Sequence, residues 1–151
     1  MDLTGFRGKF NVTLDEKGRF MVPAKLKGEL DTETLVVTEG LEDCLWIFMP
    51  QAWDDLVNSV EGDNSIFNID QQDVLRFVIT PAEEVAVDKS GRVKLPPPQV
   101  EAVDLVKECC LVGMGDRIEV WDKSRYDEVR RERKAAVRNT WKQMGSKEGN
   151  S

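Results

Sequence analysis

Two short stretches of this chain could do chemistry. Asp15 and Arg19 stand four residues apart around Gly18, and the same constellation returns as Asp88, Gly91 and Arg92. A carboxylate at that spacing can accept hydrogen bonds from the turn backbone, as an Asx-type cap, and pair with the arginine. Alternatively the guanidinium is the working group: its planar fork matches guanine O6 and N7 in a major groove, while nearby lysines neutralise phosphates. Arg7, Lys9, Lys17, Lys25 and Lys27 accompany Arg19, so residues 5–27 hold six bases against Asp15 and Glu16. Both readings stay open at the level of residues. The structural one fits Asp15, Gly18, Asp88, Gly91 and Arg92; the functional one fits Arg19 and its basic neighbours.

Few other chemistries compete. Among 151 residues there is no histidine and there are three cysteines. Ser-His and Cys-His nucleophile pairs, HExxH zinc sites and imidazole acid–base work are thereby excluded. Cys44, Cys109 and Cys110 have no CxxC spacing, and the vicinal pair sits in an apolar run. They are expected to be packing residues in a reducing cytoplasm, with no metal and no disulfide framework. The adjacent acids Asp54/Asp55 and Glu83/Glu84 read as solvated turns and helix starts, so the chain is not expected to be an enzyme or to need a cofactor or small-molecule substrate. No window approaches the roughly 18 apolar residues of a membrane span, and a cytoplasmic protein with no membrane partner is expected.

The formal charge of −7 argues against a polyanion partner, but its distribution does not. Residues 28–88 hold 15 acids and one base, Arg76, whereas residues 123–147 hold nine bases and three acids. Such asymmetry suggests one face for a polyanion and another for solvent or for basic neighbours.

The elements that must position these groups come twice. At a constant shift of 73, nine positions are identical over residues 12–54, among them Pro23/Pro96, Gly40/Gly113, Asp43/Asp116 and Asp54/Asp127. Chance gives about three, so the chain is an internal repeat. Each copy reads as a strand, the Asp-x-x-Gly-Arg turn, a second strand completing a hairpin, a short helix after the proline (24–30 and 98–106), a strand pair and a final helix. Trp53, Leu56, Val57 and Val60 make the first final helix amphipathic. The second begins near Ser124 and runs to about Met144, before a disordered tail. Between the copies, residues 70–80 predict a helix with Val74, Leu75, Phe77 and Val78 inward. The organisation expected is a first repeat at 5–60, a linking helix at 61–81, a second repeat at 82–135, and a helix end with tail at 136–151. Single hairpins are unstable alone, so two interlocked copies are expected to close a small α+β barrel without free edges.

The runs Phe6-Arg7-Gly8-Lys9-Phe10, Leu14-Asp15-Glu16-Lys17-Gly18-Arg19 and Val22-Pro23-Ala24-Lys25 resemble the start of the MraZ family of bacterial transcriptional regulators. So do 87–97, Leu111-Val112-Gly113 and Ile118-Glu119-Val120-Trp121 in the second half, and the similarity spans about residues 5–135. Each half also resembles the AbrB-like swapped hairpin. The resemblance implies a swapped-hairpin barrel and a nucleoid-associated DNA-binding regulator of the division and cell-wall gene cluster. It further implies a homo-oligomeric ring on tandem G-rich promoter repeats of double-stranded DNA. It maps the DNA-contacting arginine to Arg19, with Asp15, Lys17 and Gly18 in the same motif, and suggests that Asp88, Gly91 and Arg92 serve folding and ring contacts. The competing expectation is a non-DNA-binding ring scaffold with Arg19 and Arg92 locked in salt bridges and the basic final helix docking a partner.

Overall fold

The computed structural model describes residues 5–30, 32–62 and 66–149. In chain order the elements are β1 (Lys9–Thr13), β2 (Arg19–Met21), α1 (Ala24–Lys27), β3 (Thr34–Glu39), β4 (Cys44–Phe48), α2 (Pro50–Glu61) and α3 (Ile69–Val74). A π-helical turn (Leu75–Ile79) extends α3, and β5 (Glu83–Ala86), β6 (Arg92–Lys94), α4 (Pro97–Ala102), β7 (Glu108–Gly113), β8 (Ile118–Asp122) and α5 (Lys123–Gly149) follow. The class is α+β, as expected.

The halves interlock more thoroughly than hairpins would. β1 does not pair with β2; it lies antiparallel to β7, and β2 lies antiparallel to β6. One six-stranded sheet results, in the order β1-β7-β8-β4-β3-β5, with β2 and β6 as a separate ribbon. Exchanging the repeats reverses that order onto itself, so a pseudo-twofold axis runs between β4 and β8. It also passes through the ribbon, because Phe20 faces its own repeat mate Val93, as Trp46 faces Glu119. The link between halves is reciprocal down to single bonds: Val22 N–H donates to Gly91 O at 2.9 Å and Leu95 N–H to Gly18 O at 3.0 Å.

No closed barrel forms among the described residues. The ladder is interrupted where the Asp-x-x-Gly-Arg turns carry the chain from the sheet to the ribbon, leaving β1 and β5 as sheet edges. The turns themselves match expectation. Gly18 and Gly91 take φ of +75° and +83°, a region that costs any residue with a Cβ steric strain.

Strand alternation assigns the two sheet faces. On one, Leu35, Val37, Leu45, Ile47, Leu111, Ile118 and Val120 pack with Phe20, Val93, Leu26 and Leu105, so the ribbon and the short helices cover the main core. On the other, Cys44, Cys110 and Trp121 pack with Val129 of α5 and with Tyr126. The aromatic pairs there are repeat mates, Phe48–Trp53 and Trp121–Tyr126, each with centroids 5.5 Å apart.

Four expectations are corrected. The 73-residue shift is not gapless: Ile47 and Val120 are 73 apart, but their partners Val37 and Leu111 are 74 apart. The second copy therefore has one residue more before β7 and one fewer in the β7–β8 turn, and the Gly40/Gly113 match is not a structural equivalence. Phe77 is 64% exposed instead of inward. The π-helical turn adds a residue and rotates the helical phase, placing Val78 beneath the backbone where the Thr38 hydroxyl donates to its carbonyl. α1 and α4 end at Lys27 and Ala102, leaving Val106 outside. Finally, α5 is continuous through Gly149, past the expected stop near Met144 and the tail placed after it; residues 63–65 and 150–151 lie outside the described residues.

Two predictions follow from this frame. Phe20 is 3% exposed at the axis, so Phe20→Ala should cost about 3–5 kcal/mol in urea unfolding; a loss below about 1 kcal/mol would contradict the interlock. The Asp15 and Asp88 carboxyls are held below the ordinary 3.8, chiefly by hydrogen bonds from the backbone N–H of Arg19 and Arg92 respectively. A folded value below the unfolded one stabilises at pH above about 4, and that contribution disappears as the pH falls through the lowered value. The denaturation midpoint of wild type should thus drop between pH 5 and pH 2.5 more steeply than that of Asp15→Asn/Asp88→Asn; parallel curves would refute the role of the caps.

Candidate nucleic-acid interface

Each turn is built by its own aspartate. Asp15 Oδ1 accepts from the backbone N–H of Lys17 and of Arg19, both at 2.9 Å, and Oδ2 accepts from Arg19 Nε at 2.8 Å. Asp88 repeats the pattern with Ser90 and Arg92, its ion pair measuring 3.1 Å. The ionised carboxylate thus fixes the turn and aims the arginine together. Because the pair engages Nε, the two terminal nitrogens of each guanidinium point onward, and no other hydrogen bond or ion pair holds them among the described residues.

The ribbon turns these two sites into one surface. Phe20 and Val93 face the core, so Arg19, Met21, Arg92 and Lys94 alternate to the outside. Arg19 sits opposite Lys94, and Met21 opposite Arg92. Lys17 and Lys89 stand exposed on the turns at the ends of the ribbon. Lys27 of α1 reaches the second turn, where a Cβ on Gly91 would lie 3.2 Å from its Nζ. Lys25 is exposed two residues earlier on the same helix. Acidic groups border the surface: Glu101 and Asp104 line a groove of about 550 Å³ beside Lys17 and Lys94, and Glu33 lies near Lys27 and Lys89.

Two of the candidate bases are elsewhere. Lys9 points to the α5 side of the sheet, with Nζ 5.4 Å from the Tyr126 ring centroid and 3.9 Å from Asp127. Arg7 donates to the Phe6 carbonyl at 2.8 Å and lies along the β7–β8 turn, where a Cβ on Gly115 would meet its Nη1 at 2.7 Å. Both are at the end of β1 remote from Asp15. In their place the second repeat supplies Lys89, Arg92 and Lys94. The available signal was the Arg92-Val93-Lys94 alternation, which puts both bases on one face once Phe20 is paired with Val93.

Cys44, Cys109 and Cys110 are free and buried. Burial pushes the thiol of Cys109 up to about 12, and raises Cys44 and Cys110 likewise, which suppresses the reactive thiolate. Among the described residues no helix is long and apolar enough to cross a membrane, and no cluster of His, Cys, Asp or Glu could hold a metal ion.

Comparison with known proteins agrees with the two-fold construction. The family described as "MraZ protein, putative antitoxin-like" matches residues 6–77 and again residues 78–145. A Treponema denticola protein named Transcriptional regulator MraZ is 39% identical over 125 residues, 83% of this chain and 87% of its own. The Treponema pallidum protein of that name is 38% identical over 126 residues, 83% and 85% of the two chains. The Moorella thermoacetica one is 34% identical over 127 residues, 84% and 87%. With a family match on each repeat and relatives aligned over most of their length, the chain belongs to the MraZ family.

Proposed function

We propose that this chain is a sequence-specific DNA-binding transcriptional regulator, reading bases with the outer face of the β2–β6 ribbon. The observation that carries this reading is the convergence of Arg19, Lys94 and Arg92 on that face, with Lys17 and Lys89 at its ends. An arginine held through Nε and free at both terminal nitrogens suits the bidentate contact to guanine O6 and N7. The lysines around it suit phosphates on either side. Family relatives named as transcriptional regulators support the same reading.

The target in this reading is a set of tandem G-rich repeats ahead of the chain's own division and cell-wall gene cluster, which it represses. One ribbon buries too little to bind tightly, so a homo-oligomeric ring presenting several ribbons supplies the avidity. Repeats spaced near one helical turn, about 10 bp, would meet neighbouring protomers on one side of the duplex. Arg7 and Lys9 have no part in the contact. A second reading, a ring scaffold that binds no DNA, draws on the same ion pairs: Asp15–Arg19 and Asp88–Arg92 are what locked structural arginines look like.

A titration against the promoter fragment and a scrambled duplex, at two salt concentrations, separates the two. Arg19→Ala should lose about 1–3 kcal/mol of preference for the promoter. Lys94→Ala should weaken binding to both duplexes and flatten the salt dependence, while Lys9→Ala should change neither. Wild type without preference over scrambled DNA would favour the scaffold.

A further inference from the structure

The β2–β6 ribbon is twofold-symmetric in its backbone but not in its charge. Each end of it is flanked by the short helix of the other repeat: α4 stands beside the first turn and α1 beside the second. The two flanks correspond bond for bond. Lys27 N–H donates to the Pro23 carbonyl at 2.9 Å, as Val100 N–H does to that of Pro96 at 3.1 Å. At these equivalent positions Lys27 stands where the other copy has Val100, Gly28 where it has Glu101, and Lys89 where it has Glu16. The second-turn flank therefore offers Lys25, Lys27 and Lys89, all exposed, against Glu33. At the first turn the bases belong to the turn and the ribbon, as Lys17 and Lys94, while α4 and the loop after it add only Glu101 and Asp104. Asp15 and Asp88 are each paired with an arginine, whereas no ion pair engages Glu101 or Asp104 among the described residues.

We propose that the ribbon grips DNA from one flank only: the phosphate backbone beyond it is held over α1 by Lys25, Lys27 and Lys89, and is turned away from α4 by Glu101 and Asp104. Like charges brought together at an interface are costly and suppress the wrong arrangement. The two acids are thus specificity-determining residues that act by repulsion. A ribbon with equal ends would read an inverted repeat, because its own twofold axis would coincide with that of the duplex. Unequal ends make the two halves of each target box meet different contacts, Arg19 with Lys94 on one side and Arg92 with Met21 on the other. The box is then read in one direction, and successive boxes point the same way. This inference rests on the DNA reading above and deepens it by saying which flank carries the backbone.

Ethylation interference on the promoter duplex, with the full-length chain, locates the phosphates that binding requires. An iron chelate tethered through Ser90→Cys marks the second-turn end by local strand cleavage, and one tethered through Ala102→Cys marks α4. Both positions are exposed and the native cysteines are buried. Interfering phosphates beyond the box should cluster at the Ser90 cuts and be absent from the Ala102 cuts. The variant Glu16→Lys/Glu101→Lys/Asp104→Asn removes the repulsion at exposed positions, and asparagine tolerates the φ of +54° found at Asp104. With its fold checked by circular dichroism, it should gain interference at the Ala102 cuts and steepen the slope of log affinity against log salt by about 2. Interference at both sets of cuts in wild type, at the Ala102 cuts alone, or a variant that gains none would each overturn the one-flank grip while leaving DNA binding intact. Wild type with no preference for the promoter duplex would overturn both readings together.

Discussion

The pairing of Phe20 with Val93 is the contact on which the rest of the molecule depends. A residue facing its own repeat mate can do so at only one register, and that register places the axis. From it follow the reciprocal bonds between Val22 and Gly91 and between Leu95 and Gly18, and the reversed strand order of the sheet. The apolar pair lies inside the main core, with Val93 fully buried. Slipping one strand of the ribbon by one residue against the other would oppose Phe20 to Arg92 or Lys94, so that either an apolar residue would turn to solvent or a base into the core. Hydrophobic burial thus sets which groups are presented outside, and the basic surface is a consequence of the core.

The same arrangement explains how a chain with net charge −7 can present a basic face. The sides of the sheet do not divide the charges cleanly, since the basic α5 lies on the face away from the ribbon. Bases from two separate motifs meet on the ribbon, while the acids of α2 and α3 lie on the opposite side of the sheet. Salt screens charges separated by more than about 10 Å at 0.1 M, so a polyanion docked on the ribbon responds to the local arginines and lysines more than to the total. Of the acids on the ribbon side, the aspartates of the two turns are each paired with the arginine they hold, while Glu33, Glu101 and Asp104 border the surface.

Much of this was legible in the residues, because repetition and periodicity are local signals. The Asp-x-x-Gly-Arg turns, the positive φ at Gly18 and Gly91, the amphipathic α2 and the buried cysteines could all be read from spacing and residue type. What could not be read was long-range. The β1–β2 hairpin was the economical inference from two strands around a tight turn, yet β7 and β6 win those edges because burial on the core rewards the exchange. The one-residue slip between β3 and β7 hides in loops, where a gap leaves no trace in apolar pattern. Phe77 faces solvent because a π-helical turn shifts the helical phase, and nothing in the run Val74-Leu75-Arg76-Phe77-Val78 announces it. Proximity in sequence likewise grouped Lys9 with Arg19, although strand alternation sends Lys9 to the far face; Lys94, 75 positions away from Arg19, is its actual neighbour.

The central claim is that both repeats build one DNA-facing surface and that the opposite side of the sheet does not take part. Lysine acetylation footprinting of the full-length protein, with and without the promoter duplex, reads this directly by mass spectrometry. The account predicts that DNA protects Lys17, Lys89 and Lys94 together while Lys9 and Lys142 keep their free reactivity. Protection of Lys9 or of the α5 lysines, with Lys89 and Lys94 unchanged, would contradict it.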